Sequence, residues 1–256
     1  MFVGRANEIE VLRSGIRERK HLHIYGEAGT GKSALLQWAC ANWHQMDNSL
    51  SPVYCDRSHT LRGIVLQISA FLLRQLGPLQ SIDKLGRKSE FRSCDELKKA
   101  AIPELKQIVS RNIQKVQCCL LLDHLEHITP RIHSQLTMLY ERVPVITSSR
   151  QSWDIADYSF LGNLAYHGIY LTPKLRLTNL NRRDAFAVME SLGKRLSLHG
   201  GEKESLFEQV FHIARGNPGL MNKIIAKAGR PEYRVDGRIN LNLIIIDMNV
   251  RDATDK

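Results

Sequence analysis

Residues 26 to 33 read GEAGTGKS, and this spacing of glycines, a lysine and a hydroxyl suits one task, the holding of a chain of phosphates. Glycines at 26, 29 and 31 let the backbone curl tightly enough to aim successive amides at one point. A helix starting near Lys32 would add the positive end of its dipole there. Lys32 can reach the β- and γ-phosphates of ATP, and the Ser33 hydroxyl can ligate Mg²⁺. Glu27, Ala28, Thr30 and Ala34 complete the expected cofactor-binding stretch.

Hydrolysis needs the cation in place and a water oriented on the γ-phosphate. Asp123 ends the apolar run "QCCLLLD" and is the expected Walker B acid, holding Mg²⁺ directly or through water. The next position, where a second acid would polarise the water, is His124. Glu126 is the nearest carboxylate, either a displaced base or the start of the following helix. "VPVITSSR" ends in hydroxyls and an arginine, so Thr147, Ser148 or Ser149 could bond the water or the γ-phosphate, and Arg150 the γ-phosphate itself. In "RGNPGLMNK", Pro218 reads as a helix-starting proline.

These residues need elements to carry them. "HLHIYG" alternates like a strand, and "KSALLQWACANW" has helical spacing, so the glycine loop joins a strand (21–26) to a helix. A helix is expected over 7–19, a short strand at 52–56 and an amphipathic helix over 60–76 closed by Gly77 and Pro78. The polar stretch 77–93 reads as a loop, and "CDELKKAAIPELKQIVSRNIQ" as helix interrupted at Pro103. "QCCLLLD" has the profile of a strand buried on both faces. A helix over about 130–141, a strand "VPVITSS" and a fifth strand "GIYLTPKL" follow. From Asn181 the pattern turns helical (181–197, 203–215, 219–228), and the tail holds one strand-like run, "INLNLIII". Alternating strands and helices predict an α/β fold with a parallel sheet. The expected order is a phosphate-loop nucleotide domain at 1–176, a small helical lid at 177–230 and a tail at 231–256. The nucleotide should lie at the carboxyl edge of the sheet.

The chain has 256 residues, 43% of them hydrophobic, enough for a substantial core. No apolar run reaches the length of a membrane span and the start has no signal-peptide profile, so a cytoplasmic protein is expected. The five cysteines lack metal-ligand spacing and read as core thiols. His124 and His127 have no second ligand cluster, so no metal beyond Mg²⁺ is expected. The formal charge of +10 favours polyanions, nucleic acid above all, but the basic residues are scattered and read either as a face for double-stranded DNA or as a solvated basic surface. They include Lys84, Arg87, Lys88, Arg92, Lys98, Lys99, Arg182, Arg183, Lys223, Lys227 and Arg230.

The motifs together resemble those of AAA+ and STAND ATPases. "FVGRANEIEVL" resembles the GRE-type box before their nucleotide domain, with Gly4, Arg5 and Glu8 in place and Ala6 where an acid is common. "LLLDHLEHI" is similar to the Walker B segment of STAND regulators through Asp123, Glu126 and His127, "ITSSR" to their sensor segment, and "GNPGL" to the proline motif of their lid. By that likeness Arg150 would contact the γ-phosphate, Pro218 would pack near the adenine, and Val3 and Arg5 would line the adenine side. The lid also resembles that of the AAA+ regulators of transposition, except that Gly219 stands where an arginine often follows the proline. The resemblance implies an ATP hydrolase of the ASCE branch, slow or partner-stimulated, that binds ATP and ADP and works as a homo-oligomer or with a partner protein. Two roles follow from it: a DNA-associated switch or assembly factor, or a signalling ATPase whose effector is a separate chain.

Overall fold

The computed structural model describes residues 3–82, 86–153, 169–193, 201–235 and 238–254. Lys84, Gly168 and the expected helix end at 194–197 lie outside them. The chain divides into two compact units: 7–26 with 32–177, and 178–256 joined by 1–6 and 27–31.

The first unit is built on five parallel strands: β1 (Leu22–Tyr25), β2 (Ser51–Cys55), β5 (Cys118–Leu122), β6 (Val145–Ser149) and β7 (Lys174–Arg176). Their order is β2-β5-β6-β1-β7, with Leu22 opposite Ile146 and Leu121 also opposite Ile146 on the other side. The strand between the phosphate-loop strand and the Asp123 strand is therefore β6. The strand that separates them in sequence, β2, lies at the sheet's edge. Every side chain of β5 and β6 is buried. Each fully buried leucine there contributes roughly 1.5–3 kcal/mol, which is why an unbroken apolar run settles as a central strand.

The helices of this unit are α1 (Ala6–Arg17), α2 (Lys32–Ala41), α3 (Leu61–Leu76), α4 (Cys94–Lys99), α5 (Ile102–Asn112) and α6 (Pro130–Tyr140). Thr60 caps α3 by accepting from Gly63 N–H, and Gly77 ends it. Pro103 sits in the first turn of α5, so the chain breaks before the proline, at Ala100 and Ala101. The stretch expected as a loop at 77–93 instead forms an antiparallel hairpin, β3 (Leu79–Ile82) with β4 (Lys88–Phe91). Leu79 and Phe91, paired across it, are both buried in the core that includes Ile68, Leu72, Leu97 and Leu105.

The second unit contains α7 (Arg182–Leu192), α8 (Gly201–Ala214), α9 (Pro218–Ala228) and α10 (Leu241–Thr254), with a short hairpin, β8 (Arg234–Val235) and β9 (Arg238–Ile239). Its core gathers Met189, Phe207, Val210, Met221, Ile224 and Ile244. The run "INLNLIII" is thus helix from Leu241 onward rather than strand, with only its first residue, Ile239, in β9. Leu241, Ile244 and Met248 recur at helical spacing toward that core, and this packing outweighs the strand preference of the isoleucines. No helix of the described residues is long and apolar enough to cross a membrane.

Candidate functional site

The glycine loop leaves β1 and enters α2 at Lys32. Gly29 and Gly31 have φ of +82° and +98°, values that a side chain would resist. Glu27, Ala28 and Gly29 form an exposed apex, while Gly26 and Thr30 are buried. Lys32 is buried, and its Nζ folds back to donate to the Gly26 carbonyl at 2.5 Å. Burial pushes the Lys32 pKa down, and the nearby Glu126 and Asp123 carboxylates oppose that shift while the Arg150 guanidinium adds to it. The lysine, both acids and the arginine predicted from sequence thus share one electrostatic neighbourhood. Ala34 is exposed in the first turn of α2.

Asp123, directly after β5, is fully buried. Its Oδ1 accepts from the Ser148 hydroxyl and from the His124 N–H at 3.0 Å. Its Oδ2 accepts from the Tyr54 hydroxyl at 2.8 Å. Burial and the Asp123 carboxylate both push the Tyr54 pKa up, which keeps that hydroxyl a donor. Tyr54, near the end of β2, was not foreseen. Its place in "PVYCD" marks a strand end next to Asp123, a signal that appears only once the strand order is known.

The three hydroxyls left open in "ITSSR" separate by strand alternation. Ser148 turns to Asp123, while Thr147 and Ser149 turn to His23, whose Nδ1 lies 2.9 Å from Thr147 Oγ1 and whose Nε2 lies 3.2 Å from Ser149 Oγ. Glu126 accepts from the Arg150 N–H at 2.7 Å through Oε2, and its Oε1 lies 3.8 Å from Arg150 Nε. His124 carries a positive φ of 59° and brings its ring to Ser33 Oγ, 3.4 Å from Nε2. The two oxygen donors expected for Mg²⁺, Ser33 and Asp123, are of the hard type that cation takes, so the residues present fit it. Among the described residues, no three His, Cys, Asp or Glu side chains cluster to hold a metal alone.

In the second unit the loop apex is tied to the start of α9. Asn217 caps α9 by accepting from Leu220 N–H at 3.0 Å, and its Nδ2 donates to the Ala28 carbonyl at 2.9 Å. The Gly219 N–H donates to the Gly29 carbonyl at 2.9 Å. A Cβ at Gly219 would come within 2.8 Å of Gly29 Cα, so this position has no room for a side chain. Pro218 sits in the first turn of α9, as its capping chemistry predicts. Arg5 is buried and donates to the Thr30 carbonyl at 2.9 Å and the Thr178 carbonyl at 2.5 Å, tying the loop to the start of the second unit's main segment. Val3 is half-buried.

No protein-family profile matches the chain, and no curated protein matches it in sequence. Solved structures do match. The Aeropyrum pernix Orc1 protein, determined in complex with DNA, superposes with a TM-score of 0.66 at 13% identity over 97% of this chain and 66% of its own. The Orc2 protein of the same organism, in its ADP form, gives 0.61 at 15% identity, over 95% of this chain and 67% of its own. Domain III of the Thermotoga maritima replication initiation protein DnaA gives 0.55 at 14% identity, over 96% of this chain and 93% of its own. The chain thus spans about two thirds of the Orc proteins, and at these identities the likeness is one of fold. That shared fold has the layout expected from the order of the motifs: a parallel α/β domain with a helical C-terminal region.

Proposed function

We propose that this chain is an ATP-binding AAA+ ATPase of STAND-like logic, a cytoplasmic switch or assembly factor that acts with double-stranded DNA. The observation that carries the reading is the meeting of Asp123, Glu126 and Arg150 around the buried Lys32 ammonium at the carboxyl ends of β1, β5 and β6. Lys32 and the amides of the loop would bind the phosphates, with Ser33 and Asp123 holding Mg²⁺. The cation, when bound, would neutralise charge developing on the phosphate oxygens.

Turnover on this reading is slow. Glu126 is turned to Arg150, with Oε2 accepting from its N–H and Oε1 3.8 Å from its Nε, so only the remaining lone pairs of the carboxylate are left to orient a water. His124 fills the place beside Asp123 where an acid would serve. Binding and release of nucleotide, more than rapid hydrolysis, then set the state of the protein. Val3, Arg5 and Pro218 are assigned to the adenine side by motif likeness, and Arg150 to the γ-phosphate. The +10 charge and the fold shared with a protein determined on DNA support DNA as the partner, with self-assembly or a partner protein completing the unit.

The test is ATP turnover by the purified protein at low salt, with and without duplex DNA, with Lys32→Ala as the blank. Turnover that DNA stimulates and Lys32→Ala abolishes is the expected result. Unchanged ATP affinity in Lys32→Ala would sink the site, and turnover indifferent to DNA would sink the DNA role.

A further inference from the structure

His124 follows Asp123, the acid expected to hold the cation, and takes a backbone conformation that few non-glycine residues adopt, with φ at 59°. Two acceptors hold it there: its N–H donates to Asp123 Oδ1 at 3.0 Å and to Ser148 Oγ at 3.2 Å. The consequence is a ring turned back over the two expected cation donors. Nε2 lies 3.4 Å from Ser33 Oγ and 3.5 Å from Asp123 Oδ2.

Donor atoms that share one first-row divalent ion at about 2.0–2.2 Å stand roughly 2.8–3.6 Å apart, depending on octahedral or tetrahedral geometry. Both separations fall in that window. Tyr54 also bonds Asp123 Oδ2, but a carboxylate oxygen has a second lone pair for a metal. No His, Cys, Asp or Glu triad completes a protein-only site among the described residues, so phosphate oxygens and water would supply the remaining ligands.

We propose that His124, through Nε2, is a third protein ligand to the divalent cation that accompanies the nucleotide, and that it shifts the site's preference from Mg²⁺ toward a first-row transition ion. The inference rests on the nucleotide-site reading above. Its physical basis is the reluctance of Mg²⁺ to exchange oxygen for nitrogen, against the ready acceptance of imidazole by transition ions.

The experiment uses the full chain with Mn²⁺ and the non-hydrolysable β,γ-methylene analogue of ATP. Pulsed electron paramagnetic resonance should show ¹⁴N coupling to the bound Mn²⁺, replaced by ¹⁵N coupling when only histidine is ¹⁵N-labelled. His124→Asn should lose the coupling, since asparagine tolerates the same backbone conformation but offers no ring nitrogen. In that variant the Mg²⁺ concentration that displaces half the Mn²⁺ should fall by roughly tenfold. Analogue and Mn²⁺ bound together with no nitrogen coupling and an unchanged Mg²⁺ competition would overturn the role of His124. Failure of the analogue to bind with either cation would instead overturn the nucleotide reading, and this proposal with it.

Discussion

Asp123 shows how a charge can sit fully buried next to a strand. Ser148, Tyr54 and the His124 N–H supply donors to both oxygens, so its desolvation is offset before any cation arrives. Ser148→Ala removes one donor and closes no gap with water, since that residue is fully buried. A loss of about 1–3 kcal/mol is expected, read as a lower urea midpoint at unchanged slope. Lys32 is the opposite case. Burial disfavours its charged form, and the neighbouring acids only partly oppose that. Lys32→Met should therefore abolish nucleotide binding while leaving the melting temperature of the nucleotide-free protein equal or higher. A fall of several degrees would show that the ammonium is favourably held without a ligand. This is the conflict between function and stability expected where a charge is buried for a binding role.

Strand β6 explains both what could be read from the sequence and what could not. Its buried run and terminal hydroxyls announced a strand end bearing chemistry, but the partner of each hydroxyl depended on the strands beside it. The same holds for Tyr54, invisible until β2 and β5 are paired. Features with a strong local signal were legible: the glycine loop between β1 and α2, the unbroken apolar run of β5, and the proline start of α9. The hairpin at 79–91 was not, because its two strands alternate over only four residues each and, among the described residues, anchor to the core through Leu79 and Phe91, with Ser81 also buried. Helix α10 was missed because strand preference is local and the burial of Ile244 is not.

A pH test belongs to this scale as well. His21, one residue before β1, stacks on Tyr140 at 4.1 Å and its Nδ1 accepts from Val145 N–H at 3.2 Å, joining β1, α6 and β6. Burial lowers its pKa from 6.5, outweighing a bond with the Tyr140 backbone. The unfolded chain thus binds the proton more readily, so the stability given by neutral His21 is complete above about pH 6.5 and declines as pH falls below it. Urea midpoints at pH 5 and 7.5 should differ less in His21→Phe than in the parent protein.

Across the whole molecule, the 36 lysines and arginines overstate what faces a polyanion, because the +10 charge is net of 26 acids. Arg92, Lys98, Arg182, Lys227 and Arg230 are each paired with a local acid. A DNA-contacting face must draw on the other basic residues. Six phosphate contacts would give a slope of about −5 in the logarithm of affinity against that of salt. Fluorescence anisotropy with a labelled duplex between 50 and 200 mM salt, on the order of the range where such slopes are read, measures it. A slope near zero would remove the electrostatic basis of the DNA role.

The seam between Asn217, Gly219 and the loop apex has a consequence of its own. Helix α9 takes hold of the carbonyls of Ala28 and Gly29, whereas a phosphate would be met by amides, so the loop is a ribbon with one edge for each. Two ligands on opposite edges of one peptide ribbon do not compete, and a hydrogen bond at a carbonyl polarises the amide of the same unit. By reciprocity, whatever factor the helix adds to phosphate affinity, phosphate adds to the grip of the helix. Asn217→Ala, a change at a residue assigned no contact with nucleotide, should therefore weaken nucleotide binding by about 2- to 10-fold, the equivalent of one hydrogen bond.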